Sequence, residues 1–125
     1  MIGSEGTLGV ITKIVTKLIP RPTHDALLLA SFETNEDACA AVSAIFRAGI
    51  VPSALEFIER RALEWVIKYD GVTFELKDGI EAFLLIEVDG TNPDVIFADC
   101  EKINGVLEQF NCKDVLFADT AAQKE

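Results

Sequence analysis

Between Ala26 and Ala118 the apolar residues switch repeatedly between strand spacing and helix spacing, and this alternation restricts the folds open to the chain. Ala26–Phe32 is a mostly aliphatic run of strand length, and Ile80–Val88 is the clearest strand of all. Ala54–Ile58 and Val115–Ala118 read as shorter strands. Helical spacing fills the intervals. Ala38, Ala41, Val42, Ile45 and Phe46 share one face of a helix capped by Thr34 or Asn35. Glu36 and Asp37 lie in its first turn, where negative charge meets the positive end of the helix dipole, and Gly49 suits its C-terminus. Glu59–Tyr69 reads as a second helix with Leu63, Val66 and Ile67 inward, ended by Asp70-Gly71. A third begins at Asn92-Pro93 and sets Ile96, Cys100, Ile103, Leu107 and Phe110 on one face, with Asn111 as a left-handed terminator. Residues 72–79 are expected to be a surface loop or small hairpin, and Thr120 is placed to cap a further helix. The order strand, helix, strand, extra helix, strand, helix, strand predicts an α+β, ferredoxin-like fold: an antiparallel sheet with helices on one face.

Ahead of this unit, Val10–Ile19 has strand character on both parities, with Val10, Ile14 and Leu18 on one and Ile11, Val15 and Ile19 on the other. Such a strand is expected to be covered on both faces in its native setting, and Pro20-Arg21-Pro22 stops it. It reads as a strand belonging to a different sheet. Alone it would expose apolar surface and an unpaired edge, which invites pairing with a second copy as a homodimer.

A chain of 125 residues, half of them hydrophobic, suits one domain with a real core. Its net charge of -10 repels phosphate backbones, so nucleic acid is a poor partner. Cys39, Cys100 and Cys112 match no zinc spacing, and an odd count fits no disulfide framework. No run approaches the roughly 18 apolar residues of a membrane span, and no basic-then-apolar leader opens the sequence. A reduced, cytoplasmic setting is the expectation.

The chemically loaded segment is the loop Gly3-Ser-Glu-Gly-Thr-Leu-Gly9. Glycines at 3, 6 and 9 permit positive φ and close approach to a ligand, and free amides in such a loop can hold pyrophosphate oxygens. A strand follows where a Rossmann fingerprint has a helix, and the Gly-Lys-Ser/Thr of a P-loop is missing. The bland alternative is a tight turn feeding an edge strand.

Gly-Ser-Glu-Gly-Thr-Leu-Gly-Val-Ile-Thr at 3–12 resembles the closing motif of the FAD-binding domain in the vanillyl-alcohol-oxidase-like flavoproteins. Lys-Leu-Ile-Pro-Arg-Pro at 17–22 is similar to the linker leaving that domain, and Ala-Leu-Glu-Phe-Ile-Glu-Arg-Arg-Ala-Leu at 54–63 to a segment that usually reads Leu-Glu-Leu-Met-Asp. Val-Asp-Gly at 88–90 is also typical. The chain thus resembles the FAD-linked oxidase family, of the glycolate oxidase and D-lactate dehydrogenase type. The resemblance implies FAD as cofactor, a small 2-hydroxyacid substrate, hydride transfer from its α-carbon to the flavin, and an iron–sulfur or other electron-acceptor partner. It further implies FAD contacts along Glu5, Gly6, Thr7, Leu8, Gly9, Val10 and Ile11, largely through backbone. Residues 1–22 would close the FAD-binding domain and residues 23–125 would form the first half of the cap that shapes the substrate pocket, with Glu56 a candidate pocket residue. The family's Trp-x-x-Arg helix and His-rich segment have no counterpart here, so a fragment inactive by itself is expected.

His24, the sole histidine, is expected in the linker or on the surface, and one histidine builds no zinc site. Glu56 and Glu59 lie three apart near a strand end, and in so acidic a chain solvated acids are the bland reading. Arg60 and Arg61 read as surface charges, Cys100 as core, Cys112 as exposed beyond a helix end, and Trp65 as a packing residue. Two other functions compete: a stand-alone ferredoxin-like binding or regulatory module, and a domain that oligomerises through exposed sheet.

Overall fold

A computed structural model describes residues 1–71, 74–120 and 123. Four strands and three helices follow in the order β1 (His24–Phe32), α1 (Asn35–Arg47), β2 (Ala54–Glu59), α2 (Arg60–Asp70), β3 (Ala82–Gly90), α3 (Pro93–Leu107) and β4 (Cys112–Ala118), with a 3-10 turn at Glu108–Phe110 before the last strand. The sheet order is β2-β3-β1-β4, antiparallel throughout, which is the ferredoxin-like arrangement with α2 inserted between its second and third strands.

Local chemistry sets the helix ends. The Asp37 amide donates to Thr34 Oγ1 at 3.1 Å and the Asp94 amide to Asn92 Oδ1 at 3.0 Å, so each side chain satisfies a first-turn donor that the helix itself leaves open. At the end of α1, Gly49 has φ +81°, its amide donates to the Phe46 carbonyl (3.0 Å), and the Ile50 amide donates to the Ile45 carbonyl (3.4 Å). This is a Schellman closure, sealed by Ile50 packing into the core with Ile45. Gly71 at φ +69° and Asn111 at φ +55° end α2 and the 3-10 turn in the left-handed region.

One core holds the domain together. Ala26, Leu28, Ala30 and Phe32 of β1 alternate with Ala82, Leu84, Ile86 and Val88 of β3, and both sets face α1 (Ala38, Ala41, Ile45) and α3 (Ile96, Cys100, Ile103, Leu107). Small alanines on the two central strands let the helices lie close to the sheet, while Phe32, Leu84 and Ile86 fill the volume between.

Four expectations change. No strand forms over Val10–Ile19: its apolar residues are exposed, Val15 to 89 %, and among the described residues nothing pairs with it. A ladder needs a second strand, and the segment pairs with neither outer edge of the sheet, on β2 or on β4. Phe46 is half-exposed at the rim of α1. The second helix buries no residue completely; Leu63 and Ile67 are half-covered and Val66 points to solvent at 41 %. Trp65 is 59 % exposed on the same helix, with the Arg61 guanidinium 5.6 Å from its ring centroid, because α2 packs on β2 at the sheet margin and not between layers. The surface loop expected at 72–79 begins with residues outside those described; from Phe74 onward the chain is irregular, turning at Asp78-Gly79. Thr120 donates its amide to Gln123 Oε1 (3.1 Å), as in a capping box, and the helix it was expected to cap lies largely outside the described residues.

Candidate functional site

The glycine loop is a chain of tight turns. The Ser4 amide donates to the Met1 carbonyl (3.3 Å) and the Thr7 amide to the Ser4 carbonyl (2.9 Å), reinforced by Thr7 Oγ1 at 2.7 Å. Gly3 and Gly6 take φ of +75° and +79°, and Glu5 itself takes +48°, an uncommon conformation for a residue with a Cβ. A Cβ on Gly3 or Gly6 would meet no atom within 4 Å, so glycine is required there by backbone conformation and not by space. Among the described residues, the amides of Gly6, Leu8 and Gly9 donate to no acceptor. Gly6 and Gly9 line, with Met1, Ser4, Val10 and Ile11, a shallow exposed recess of about 330 Å³. A run of unengaged main-chain donors on a glycine scaffold fits the pyrophosphate of a dinucleotide.

The second element is the sheet face that α1 and α3 leave open. Facing residues in an antiparallel ladder share a side of the sheet, so the register defines rows across it. The first row is Ile58, Phe83, Ser31 and Asp114; the next is Glu56, Leu85, Leu29 and Leu116; the third is Ala54, Glu87, Leu27 and Ala118. The first row is covered by the α2–β3 connection. Phe74 meets Phe83 edge-on at 5.9 Å, and Lys77 Nζ donates to Asp114 Oδ2 at 2.6 Å. The mutual charge, led by that hydrogen bond, holds the Asp114 carboxyl below the usual carboxylate range and raises the Lys77 ammonium above its ordinary value. A recess of about 250 Å³ remains beneath the connection, between Ser31, Phe83, Lys77 and Leu116. The other two rows carry no covering element, and Leu27, Leu29 and Leu85 stand half-exposed there.

Arg60 anchors that connection. Its Nη1 donates to the carbonyls of Lys77 (2.7 Å) and Ile80 (2.9 Å), its Nε donates to Glu64 (2.9 Å), and its own amide donates to the Glu81 carbonyl (2.9 Å). It is therefore an internal clamp with 22 % of its side chain exposed, where a surface charge was expected. Nothing in sequence spacing signals this, because the partners are backbone carbonyls seventeen and twenty residues away.

The remaining candidates separate. Glu56 projects onto the open face from the middle of the edge strand β2, whereas Glu59 ends β2 as the N-cap of α2, so the two acids do not converge. His24 opens β1, exposed, beside a recess shared with Asp25, Phe97 and Asp119. Among the described residues no cluster of three or more metal-ligating side chains occurs. Cys100 is buried in the core, and burial pushes its thiol up, with Asp99 adding to the effect. Cys112 is half-buried, not exposed; its Sγ donates to the Asp114 carbonyl at 3.4 Å, and burial is the main cause of its raised thiol. Cys39 is exposed on α1. The face residues Leu29, Leu85 and Glu87 were not singled out from sequence. The available signal was that β1 and β3 are apolar on both parities, the mark of strands covered on both sides.

The chain thus combines a ferredoxin-like layer with a preceding glycine loop whose amides are unengaged, and the related proteins are FAD-linked oxidoreductases. The profile of the FAD linked oxidases, C-terminal domain, matches residues 21–125, and the chain belongs to that family. It is 37 % identical to the glycolate oxidase subunit GlcD of Escherichia coli K12 over 122 residues, 98 % of this chain and 24 % of that protein. It is 36 % identical to a D-lactate dehydrogenase of Anaerostipes hadrus over 129 residues, all of this chain and 27 % of the relative. The corresponding figures for a D-lactate dehydrogenase of Archaeoglobus fulgidus are 34 % over 125 residues, all of this chain and 26 % of the relative. The chain thus spans about a quarter of the length of the curated relatives it matches. No helix among the described residues is long and apolar enough to cross a membrane.

Proposed function

We propose that the chain forms part of an FAD-dependent 2-hydroxyacid dehydrogenase, with residues 1–22 closing the FAD-binding domain and residues 23–125 beginning the cap. One observation carries the reading: the likeness to glycolate oxidase and D-lactate dehydrogenases runs through the glycine loop and the sheet domain alike. FAD supplies the hydride acceptor for the α-carbon of the substrate. The loop Glu5–Ile11 holds the cofactor through main-chain donors, the amides of Gly6, Leu8 and Gly9 first among them. Val10–Ile19 completes a sheet of the FAD-binding domain, which gives its two apolar parities the cover they lack in the structure. The open face of the β2-β3-β1-β4 sheet turns toward the substrate, presenting Glu56, Leu29 and Leu85, and excludes water from it. The electrons leave to an iron–sulfur or other acceptor partner.

The test uses the complete polypeptide that carries these residues. It is expected to bind FAD stoichiometrically, to have its flavin absorbance bleached by a 2-hydroxyacid under anaerobic conditions, and to lose FAD when Gly6 is replaced by Val. A flavin untouched by every 2-hydroxyacid tried, with full occupancy in Gly6→Val, defeats the reading; a complete polypeptide that binds no flavin at all leaves the stand-alone binding module in its place.

A further inference from the structure

We propose that the recess beneath the α2–β3 connection is a binding site for a small neutral molecule made of one aromatic ring and a hydroxyl group. The site goes beyond the proposed function. It lies under the connection, beside the uncovered rows assigned to the substrate, and its test reads local signals that do not depend on a flavin.

Ser31 carries the inference. It shares a row with Phe83 and Asp114, on the side of the sheet away from α1 and α3. It is 9 % exposed, and among the described residues it is the one polar residue buried to that degree. Its side chain opens onto the recess, and among the described residues its hydroxyl has no hydrogen-bond partner. A buried hydroxyl left unpaired is costly, so it points to a partner that the protein itself does not supply.

The rest of the lining defines that partner. Phe83 is 2 % exposed and meets Phe74 edge-on, and Ile80 and Leu116 extend the apolar wall. At the exposed rim Lys77 and Asp114 hold each other at 2.6 Å, and Glu75 adds a second carboxylate. An anion would have to displace Asp114 from Lys77 beside Glu75, and a cation would have to displace Lys77. A neutral ligand leaves the pair intact. Water is poorly suited to the interior: an ordered water makes about two to four hydrogen bonds, and the buried lining offers one unpaired side-chain hydroxyl among apolar groups. Replacing such water by an apolar group gains affinity. Benzene fills an apolar cavity of about 150 Å³, so the 250 Å³ here takes a ring with one substituent. Aromatic walls favour a ring in edge-on or offset contact, and Ser31 Oγ can donate to the ligand hydroxyl or accept from it. The ligand would touch Phe74 and Ile80 of the connection and Phe83 and Leu116 of the sheet, so its binding ties the two together.

The experiment uses the complete polypeptide that carries these residues and three probes. These are para-fluorophenol, fluorobenzene as the ring without a hydroxyl, and para-fluorobenzoate as the charged counterpart. Fluorine NMR titrations give the affinities, and hydrogen exchange read by mass spectrometry locates the site. The phenol is expected to slow exchange in residues 74–83 and 112–118. The benzoate should bind about tenfold more weakly or worse, because it enters at the expense of the ion pair. Ser31→Ala is expected to weaken the phenol about five- to tenfold and to leave fluorobenzene within about twofold of its wild-type affinity. Ser31→Leu, which fills the recess, should abolish binding of both. A phenol that binds no better than fluorobenzene, or that Ser31→Ala does not weaken, overturns the proposal. So does protection confined to other segments, or a recess that takes up none of the probes and holds water alone. Should Ser31→Leu misfold, the exchange map and the three-probe comparison on the wild type decide in its place. A polypeptide that binds no flavin yet gives the expected results defeats the proposed function and leaves this site standing.

Discussion

Arg60 offers the sharpest check on how this domain is held together. Replacing it with Ala removes two charge-assisted bonds to the carbonyls of Lys77 and Ile80 and the exposed pair with Glu64. Hydrogen bonds from a charged donor contribute about 1.5–3 kcal/mol when shielded, but only the Ile80 bond is partly buried, and the Lys77 carbonyl can turn to water. The Glu64 pair, an exposed i, i+4 contact, adds about 0.3–0.5 kcal/mol. The sum after screening is about 2 kcal/mol, enough to move a urea midpoint by about 1 M for a domain with an ordinary denaturant slope. Arg60→Lys keeps the charge but not the forked donors, so it should recover no more than half of the loss. Urea melts followed by circular dichroism, with a Glu64→Ala cycle to isolate the ion pair, give the numbers. An Arg60→Ala loss below about 0.5 kcal/mol, the scale of an ordinary surface substitution, would show that the α2–β3 connection does not depend on the clamp.

Gly49→Ala should cost about 1–2 kcal/mol, because alanine must take the left-handed φ of +81° that closes α1; thermal melts compare it with Ala48→Gly, which should cost less. Ile86→Ala, at a fully buried site between the helices and the central strands, should lose about 2–5 kcal/mol in the same assay, and a smaller loss would mean the core collapses readily around the gap. The Asp114–Lys77 pair makes its contribution above the ordinary carboxylate pKa and loses it as pH falls through the depressed Asp114 value; on the alkaline side it is intact below the ordinary lysine pKa and fades as pH climbs through the raised Lys77 value. Amide exchange at residues 74–80 should therefore accelerate below about pH 4, and Asp114→Asn should abolish that dependence; exchange equally fast at neutral pH would refute the pairing. Trp65, the single tryptophan, should be quenched by iodide nearly as well as free indole, and Trp65→Ala should alter stability by less than about 0.5 kcal/mol.

Most of the layered core was legible because each element repeats one spacing against one partner surface. Ile96, Cys100, Ile103, Leu107 and Phe110 declared an apolar stripe; the first four are buried, while Phe110, in the 3-10 turn, is partly buried against the core. Thr34, Gly49, Asn92 and Asn111 announced helix ends through side-chain and backbone preferences that act within a few residues. The second helix misled for the complementary reason. Leu63, Val66 and Ile67 carry the same periodic signature, yet periodicity reports which face is apolar and not whether anything lies opposite it. Val10–Ile19 failed in the same way, since β propensity without a second strand leaves an exposed segment. On the open face, the neighbourhood of Glu56 with Leu85, Leu29 and Glu87 became known only with the register, because it depends on which strands pair.

What the amino-acid order determined alone was the list of elements, their caps and the stripe each helix buries, because those depend on contacts between residues a few positions apart. Tertiary structure decided which strands are neighbours, which acids share the open face and where the Arg60 guanidinium finds its carbonyls. Those outcomes depend on pairings between distant residues, where a shift of one position in register would send every side chain of a strand to the opposite side of the sheet.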